Sequence, residues 1–273
     1  IVARPIASFA VVAWNSMVSA KPLLKFRDFS VRCDKSNPDI SFPTPWNWAL
    51  AEGKKIAIIT NNSFLRYQLM AALADLVPPV SGEFLGPCVI NWPVGGEGGL
   101  DSKLRVSHGF DFLFSIYGDC LSGSSVSKDE IWDLLQQINV YPDQIIKELT
   151  REQKDFFFLS ISVLFAFDLY LIPKAKYLMS KAAKPLRQLL LKQLEGKSLL
   201  AISSNSRFRR EFCTDGMVLS PLGEILFAGS LEESIQWSEE NLEAVDNSDA
   251  EDDQFSLDLN LTNLDSSDDQ DDF

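Results

Sequence analysis

The strongest pattern of apolar and polar positions in the chain lies in residues 54–73. The apolar run from Ile56 to Ile59 has the length of a buried strand, and a short polar turn follows it. Beyond the turn, apolar residues recur at helical spacing and share one face of the predicted helix: Leu65, Leu69, Ala72 and Leu73. This stretch predicts a strand, a tight turn and a helix in direct succession.

The segments on either side of this unit predict β-structure. Residues 23–33 alternate between apolar and polar side chains as a first strand does, and residues 36–45 contain three prolines and predict a loop. Gly53 marks a turn before the buried strand, and a further strand is predicted to end at Val89 and Ile90. The first 90 residues should therefore consist of β-structure around one helix.

The middle of the chain is predicted to be helical. An apolar helix is indicated by four residues: Phe110, Phe112, Leu113 and Tyr117. Residues 127–138 predict an amphipathic helix in which Ser127 is the N-cap and Glu130 is its capping-box partner. A second apolar helix is predicted over residues 156–167. Buried strands are predicted at two later places, residues 168–172 and 198–203.

Charge is distributed unevenly along the chain. The net charge is −13, but residues 239–273 hold 14 acidic residues and no Lys or Arg. Residues 1–238 therefore carry 24 acidic and 25 basic residues, a net charge of +1. Such a nearly neutral body has no basic surface for nucleic acid, so we expect no nucleic-acid partner. With 46% hydrophobic residues among 273, the body can bury a substantial core.

Cysteine and histidine usage argues against a metal site or a nucleophilic enzyme. The cysteines are widely spaced without a C-x-x-C pair, and His108, which is predicted on the surface, is the only histidine. We therefore interpret the cysteines as reduced structural thiols, and Arg209 and Arg210 as part of a solvated face. Apolar runs also fall short of the ~18 to 20 residues of a membrane span. The first 20 residues faintly resemble a secretory signal, but an upstream extension or an amphipathic helix fits them better.

The turn after the first buried strand lies where a phosphate-binding loop would lie. Such a loop, G-x-x-x-x-G-K-[ST], needs glycines that let backbone N–H groups surround phosphate, a Lys for the outer phosphates and a hydroxyl for Mg²⁺. In this chain the four defined positions are Thr60, Leu65, Arg66 and Tyr67, and the polar loop residues that follow Thr60 are Asn61, Asn62 and Ser63. The loop keeps a positive charge in Arg66 but none of its glycines.

A second motif is more specific. Residues 91–100 contain the run Trp92-Pro93-Val94-Gly95-Gly96-Glu97-Gly98-Gly99, and an apolar helix is predicted to follow. This W-P-x-G-x-x-G-G run resembles the ATPase subunits of capsular-polysaccharide ABC exporters, where it precedes the helical subdomain. The resemblance extends over about residues 23–236.

The resemblance implies a fold and a domain organisation. The fold is mixed α/β, a P-loop NTPase-like ABC ATPase fold with an antiparallel β-subdomain and a helical subdomain. The ATPase-like domain would occupy residues 23–237, with the helical subdomain at about 108–167. An N-terminal extension of residues 1–22 and a disordered acidic tail of residues 238–273 would flank it.

The resemblance also assigns the remaining nucleotide motifs, each of which departs from the family pattern. The signature L-S-G-G-Q corresponds to Leu149, Thr150, Arg151, Glu152 and Gln153. Cys33 corresponds to the adenine-stacking aromatic, and Asp101 corresponds to the metal-contacting Gln. Pro173-Lys174 corresponds to the Asp-Glu pair of the second nucleotide motif, and Ser204 corresponds to the switch histidine.

Together these departures predict a pseudo-ATPase. Groups that bind phosphate, metal and water in the family are all replaced, which removes the electrostatic stabilisation that phosphoryl transfer requires. The resemblance then implies a cytoplasmic subunit at the inner face of the plasma membrane, beside an ABC-type permease and possibly a competent ATPase paralogue. No cofactor is expected, although weak binding of ATP and Mg²⁺ stays open. Two different functions also stay open, a soluble interaction scaffold and an active ATPase that uses non-standard residues.

Overall fold

The computed structural model describes residues 21–96 and 99–242. Most of the predicted N-terminal extension and most of the predicted acidic tail lie outside these residues. The described chain contains two sheets and a group of helices.

The larger sheet has five strands in the order β5-β6-β3-β7-β8. The first four are parallel, and β8 is antiparallel to β7. Strands β5, β6 and β3 are almost fully buried, as continuous apolar runs in a parallel sheet are expected to be. The strands are β3 (Lys55–Ile59), β5 (Leu169–Ile172), β6 (Ser198–Ala201), β7 (Asp215–Leu219) and β8 (Ile225–Ser230).

The smaller sheet is antiparallel. Its order is β2-β1-β4, with β1 (Pro22–Ser30) between β2 (Ala49–Ala51) and β4 (Ser81–Leu85). The alternating pattern predicted the first strand, but the strand ends at Ser30 and not at residue 33. Buried aromatic side chains fill the space between this sheet and the larger one, including Phe26, Phe29, Trp46 and Trp48.

Seven α-helices complete the described part of the chain. The first, α1 (Ser63–Leu73), follows β3 as predicted and buries Leu65 and Leu69. The others are α2 (Val106–Tyr117), α3 (Lys128–Gln137), α4 (Arg151–Leu164), α5 (Lys184–Gln193), α6 (Ser206–Phe212) and α7 (Leu231–Asn241). The predicted capping box of Ser127 and Glu130 is present in α3. Helices α2 to α4 lie within residues 106–164.

The length and polarity of a helix decide whether it can cross a membrane. A helix that crosses a bilayer needs about 20 mostly apolar residues. Within residues 21–96 and 99–242, every helix is too short or too polar to cross one.

Three further predicted boundaries were wrong. Strand β4 ends at Leu85 because Gly86 and Pro87 interrupt it, and Ile90 makes only an isolated bridge to Leu169. The helix predicted over residues 156–167 is α4, which begins and ends earlier. Helix α7 continues to Asn241, past the predicted start of the tail at residue 238, because its last turn is still hydrogen bonded and Asn241 Nδ2 donates to Trp237 O.

Candidate functional site

The carboxyl ends of three neighbouring parallel strands form the candidate site. Ile172 of β5 pairs with Ala201 of β6, which pairs with Ala57 of β3. The residues that follow the three strands therefore lie along one edge of the sheet, where α/β proteins place ligands. Thr60, Pro173 and Ser204 follow these strands along this edge, which we call the carboxyl edge.

The Asn62 side chain closes the loop after β3. Its Oδ1 accepts a hydrogen bond from Leu65 N at 3.0 Å and so caps α1. Its Nδ2 donates to Cys33 O and to Pro221 O, both at 2.7 Å. One amide thus ties the loop to two segments that are distant in sequence.

The loop backbone follows a path without left-handed residues. Among the described non-glycine residues, positive φ angles occur at Asp28, Asp75 and Asn139, all outside the loop. Asn62 has an extended backbone with φ −98° and ψ 105°, and Arg66 N donates to Asn62 O at 3.1 Å. A loop of this kind does not present the curled row of N–H groups that a glycine-rich loop directs at phosphate.

The position of the expected adenine-stacking aromatic is a buried thiol. Cys33 is 2% exposed, and its Sγ donates to Leu222 O at 3.1 Å. Together with the bond from Asn62 to Pro221 O, this contact makes residues 221–223 a common attachment point for the loop and the smaller sheet. Trp46 Nε1 adds a third bond, to Gly223 O at 3.0 Å.

The residues predicted to correspond to the second nucleotide motif, Pro173 and Lys174, supply no carboxylate at this edge. Pro173 is buried and follows a strand that is buried throughout, and Lys174 comes next. Ser204 is exposed, and the neighbouring Ser203 accepts a hydrogen bond from Asn205 N. Among the described residues, no group of three or more His, Cys, Asp or Glu side chains could hold a metal ion.

The residues that the sequence predicts to correspond to the signature form a helix cap. Thr150 is the N-cap of α4, and Gln153 completes a capping box with it. Gln153 Nε2 also donates to Ile138 O at 3.0 Å and Asn139 O at 3.1 Å, which fastens α4 to the end of α3. Arg151 and Glu152 are exposed on the first turn of α4.

Asp101 serves the structure of its own turn. Its Oδ1 accepts a hydrogen bond from Lys103 N at 2.8 Å, and its carbonyl accepts one from Leu104 N at 3.0 Å. The side chain is exposed. We therefore assign this carboxylate to an Asx turn rather than to the carboxyl edge.

Arg209 corrects an expectation from the sequence, which placed it on a solvated face. Its Nε donates to Ser203 O at 2.7 Å. Burial, and secondarily the charge of Arg66, lower the pKa of Arg209 to about 10. The sequence offered no signal for the burial of Arg209 or for the effect of Arg66 on it, because Arg66 and Arg209 are far apart along the chain. The neighbouring Arg210 is exposed as predicted, and so is His108.

Asn91 is a further residue whose role the sequence did not reveal. It is 1% exposed, and its Oδ1 accepts a hydrogen bond from Leu171 N at 2.7 Å. Val94 N donates to Leu171 O at 2.8 Å. The start of the W-P run therefore lies along the outer side of β5, and Trp92 packs on Phe165 and Phe167.

The four cysteines should differ in reactivity. All are free thiols, and burial raises the pKa of Cys33 to about 11 and that of Cys213 to about 12. Because the thiolate is the nucleophile, alkylation of these two at pH 8 should be at least about 100-fold slower than in the unfolded chain. Cys88 and Cys120 are only half-buried and should react first. Time-resolved iodoacetamide labelling with peptide mass spectrometry measures the four rates; equal rates for Cys33 and Cys88 would contradict this assignment.

Several known proteins resemble this chain in sequence or in fold. The chain is 24% identical over 182 residues to the capsule polysaccharide export ATP-binding protein CtrD of Neisseria meningitidis serogroup B, covering 66% of this chain and 80% of that protein. It is 24% identical over 196 residues to the polysialic acid transport ATP-binding protein KpsT of Escherichia coli, covering 69% and 86%. The structure of an ATP-binding subunit of an ABC transporter superimposes with a TM-score of 0.57 at 13% identity, over 87% of this chain and 99% of that one. No protein-family model matches the chain.

Proposed function

We propose that this protein is a catalytically inactive subunit of an ABC-type polysaccharide exporter. Its fold is that of ABC-transporter ATP-binding subunits, and its relatives include capsule-polysaccharide export ATP-binding proteins. It docks at the inner face of the plasma membrane on a membrane permease, as a structural or regulatory subunit. A catalytically competent ATPase paralogue is the second partner that this function requires.

The observation that carries the proposal is the closure of the loop by Asn62. Its amide occupies the start of α1, where the phosphates of a nucleotide would need to approach free N–H groups. Leu65 N is already bonded to Asn62 Oδ1, and the amide's two donors hold Cys33 O and Pro221 O. Opening the loop for phosphate would break all three bonds.

The carboxyl edge also does not fit Mg²⁺. Magnesium in nucleotide sites is held by carboxylate and hydroxyl oxygens together with substrate phosphates. Here the strand that should end in a carboxylate pair is followed by Pro173 and Lys174, and a phenol, Tyr67, stands where the loop hydroxyl would be. The residues present therefore do not fit Mg·ATP, and we assign no hydrolytic step to them.

The altered signature lowers, or leaves unchanged, the rate of ATP hydrolysis by a competent partner subunit. In a head-to-tail dimer of ABC ATPases, the signature of one subunit faces the phosphate loop of the other. This chain would present Glu152, an exposed carboxylate, where a glycine N–H is expected. Like charges then oppose each other at the terminal phosphate, so the chain acts as a brake or a scaffold.

The proposal is tested by adding this chain to a competent ATP-binding subunit and its permease. We expect the chain to copurify with the permease and to leave the ATP turnover per competent subunit unchanged or lowered. A several-fold stimulation that Arg151→Ala abolishes would contradict the proposal, because the altered signature would then complete a working site. Failure to copurify with any permease would favour a soluble scaffold instead.

A further inference from the structure

A short segment leads from helices α2 to α4 into the larger sheet. We call residues 106–164 the helical part and residues 165–168 the joint. Tyr170 of β5 holds the joint from the side of the sheet, because its hydroxyl donates to Phe165 O at 2.7 Å and accepts a hydrogen bond from Phe167 N at 3.2 Å. The backbone path of the joint is therefore fixed by a buried side chain of the sheet.

Helix α5 is anchored beside the sheet by a buried arginine. Arg187 is buried, and its Nε lies 3.1 Å from Glu211 Oε1 of α6. Its Nη1 donates to Leu178 O at 3.1 Å. A buried ion pair resists displacement, because removal of either partner leaves an uncompensated charge. Leu186 and Leu190 of α5 are buried in the same apolar core as the strands β5 and β6. The end of α5 is therefore a fixed point relative to the sheet.

The last residue of α5, Gln193, binds the loop between α2 and α3. It is 4% exposed, and its Oε1 accepts hydrogen bonds from Ser125 N at 2.9 Å and Ser125 Oγ at 2.7 Å. Its Nε2 donates to Ser124 Oγ at 3.0 Å. Ser124 Oγ in turn donates to Leu164 O, at the end of α4, at 2.7 Å. Lys192 Nζ adds a hydrogen bond to Ser125 O at 2.8 Å.

These hydrogen bonds select one position of the helical part. The helical part and the larger sheet share an apolar core, but apolar contacts are not directional. Burying a carboxamide without hydrogen bonds costs free energy, so a position that separates Gln193 from Ser124 and Ser125 is unfavourable. A buried polar network whose members are all paired favours a single arrangement of the elements that it joins.

We propose that Gln193 locks the helical part in one position against the sheet. With the lock closed, helices α2 to α4 and the sheet move as one body; without it, the helical part moves about the joint. The residues predicted to correspond to the signature, at the start of α4, then stay at a fixed distance from the carboxyl edge. The lock goes beyond the proposed function, because it concerns the conformational freedom of this chain whether or not a permease is bound.

The first test is amide hydrogen exchange, followed by NMR, in the Gln193→Leu variant. This change keeps most of the side-chain volume and removes its hydrogen bonds. The reporter is Ala166 N in the joint, which donates to Cys120 O at 2.9 Å rather than to Gln193. Exchange at Ala166 should be at least about tenfold faster in the variant, with exchange in β3 unchanged. Unchanged exchange at Ala166 would overturn the proposal, and so would an equal increase in β3, which indicates a global loss of stability.

Gln153→Leu is the matched control. Gln153 accepts a hydrogen bond from Thr150 N and donates to Ile138 O, so these side-chain bonds lie within the helical part. The variant removes the same chemical group without touching the lock, and exchange at Ala166 should stay at the wild-type rate. An increase at Ala166 as large as in Gln193→Leu would contradict the proposal.

A second test uses Cys120, a half-buried thiol beside the joint. Release of the helical part exposes this thiol, so iodoacetamide should label it at least about threefold faster in Gln193→Leu and in Ser124→Ala, with no change at Cys33. Ser124→Ala removes the partner of Gln193 Nε2 and keeps the test decisive if Gln193→Leu does not fold. Equal Cys120 rates in the wild type and Ser124→Ala would overturn the proposal. Neither readout involves nucleotide or a permease, so a negative result here is separate from a failure of the proposed function.

Discussion

Replacing Asn62 with Ala is expected to lower the free energy of unfolding by about 2 to 4 kcal/mol. Loss of the N-cap of α1 contributes about 1 kcal/mol. The two hydrogen bonds to Cys33 O and Pro221 O contribute about 0.5 to 1.5 kcal/mol each, and more where a carbonyl is left buried without a donor. Urea denaturation followed by circular dichroism measures the change.

Asn205 provides a matched control for this substitution. It is the N-cap of α6, and its Oδ1 accepts a hydrogen bond from Phe208 N at 2.9 Å. Asn205→Ala removes a cap of the same chemistry and should cost about 1 kcal/mol. The difference between the two variants isolates the bonds that close the loop. Equal losses would contradict the conclusion that Asn62 holds the loop to Cys33 and Pro221.

Replacing Gly223 with Ala is expected to lower the free energy of unfolding by about 2 to 5 kcal/mol. Gly223 has a φ of +86°, and a Cβ there would lie 2.2 Å from Cε1 of Phe42. Left-handed backbone costs an L residue about 1 to 2 kcal/mol, and overpacking adds about 1 to 3 kcal/mol. Phe42 is 4% exposed and packs on Trp46, so its ring has little room to move. The measurement is again equilibrium unfolding.

Gly196 separates the two causes of this loss. Its φ is +71°, but a Cβ there would meet no atom within 4 Å. Gly196→Ala should therefore cost only the backbone term of about 1 to 2 kcal/mol. If both glycine variants lose the same free energy, the Phe42 contact does not constrain the turn at residues 221–223.

Local signals in the sequence predicted most of the elements correctly. The apolar run of β3, the helical spacing of α1 and the capping box of Ser127 and Glu130 each depend on residues within a few positions of one another. The W-P run added the resemblance to ATP-binding subunits of capsular-polysaccharide exporters, which the relatives and the shared fold confirm. Fold class was therefore predictable from short patterns and one motif.

The contacts that define the site were not predictable in this way. Asn62 was recognised as a loop position, but its partners Cys33 and Pro221 are 29 and 159 residues away. Hydrogen bonds at such separations leave no local pattern of residue types. The same holds for the effect of the Arg66 charge on the pKa of Arg209. The sequence motifs indicated which nucleotide-binding side chains are replaced at the carboxyl edge. The structure adds the hydrogen bonds by which Asn62 closes the loop after β3.

The most direct test of the central claim is the response of the melting temperature to Mg·ATP. If the protein binds Mg·ATP, a ligand concentration ten times the dissociation constant stabilises the folded state by about 1.4 kcal/mol. For a domain of this size, that free energy raises the melting temperature by about 3 to 5 °C. If Asn62 keeps the loop closed and Pro173 supplies no metal ligand, millimolar Mg·ATP should shift the melting temperature by less than about one degree. A saturable increase of several degrees, dependent on Mg²⁺, would contradict the account.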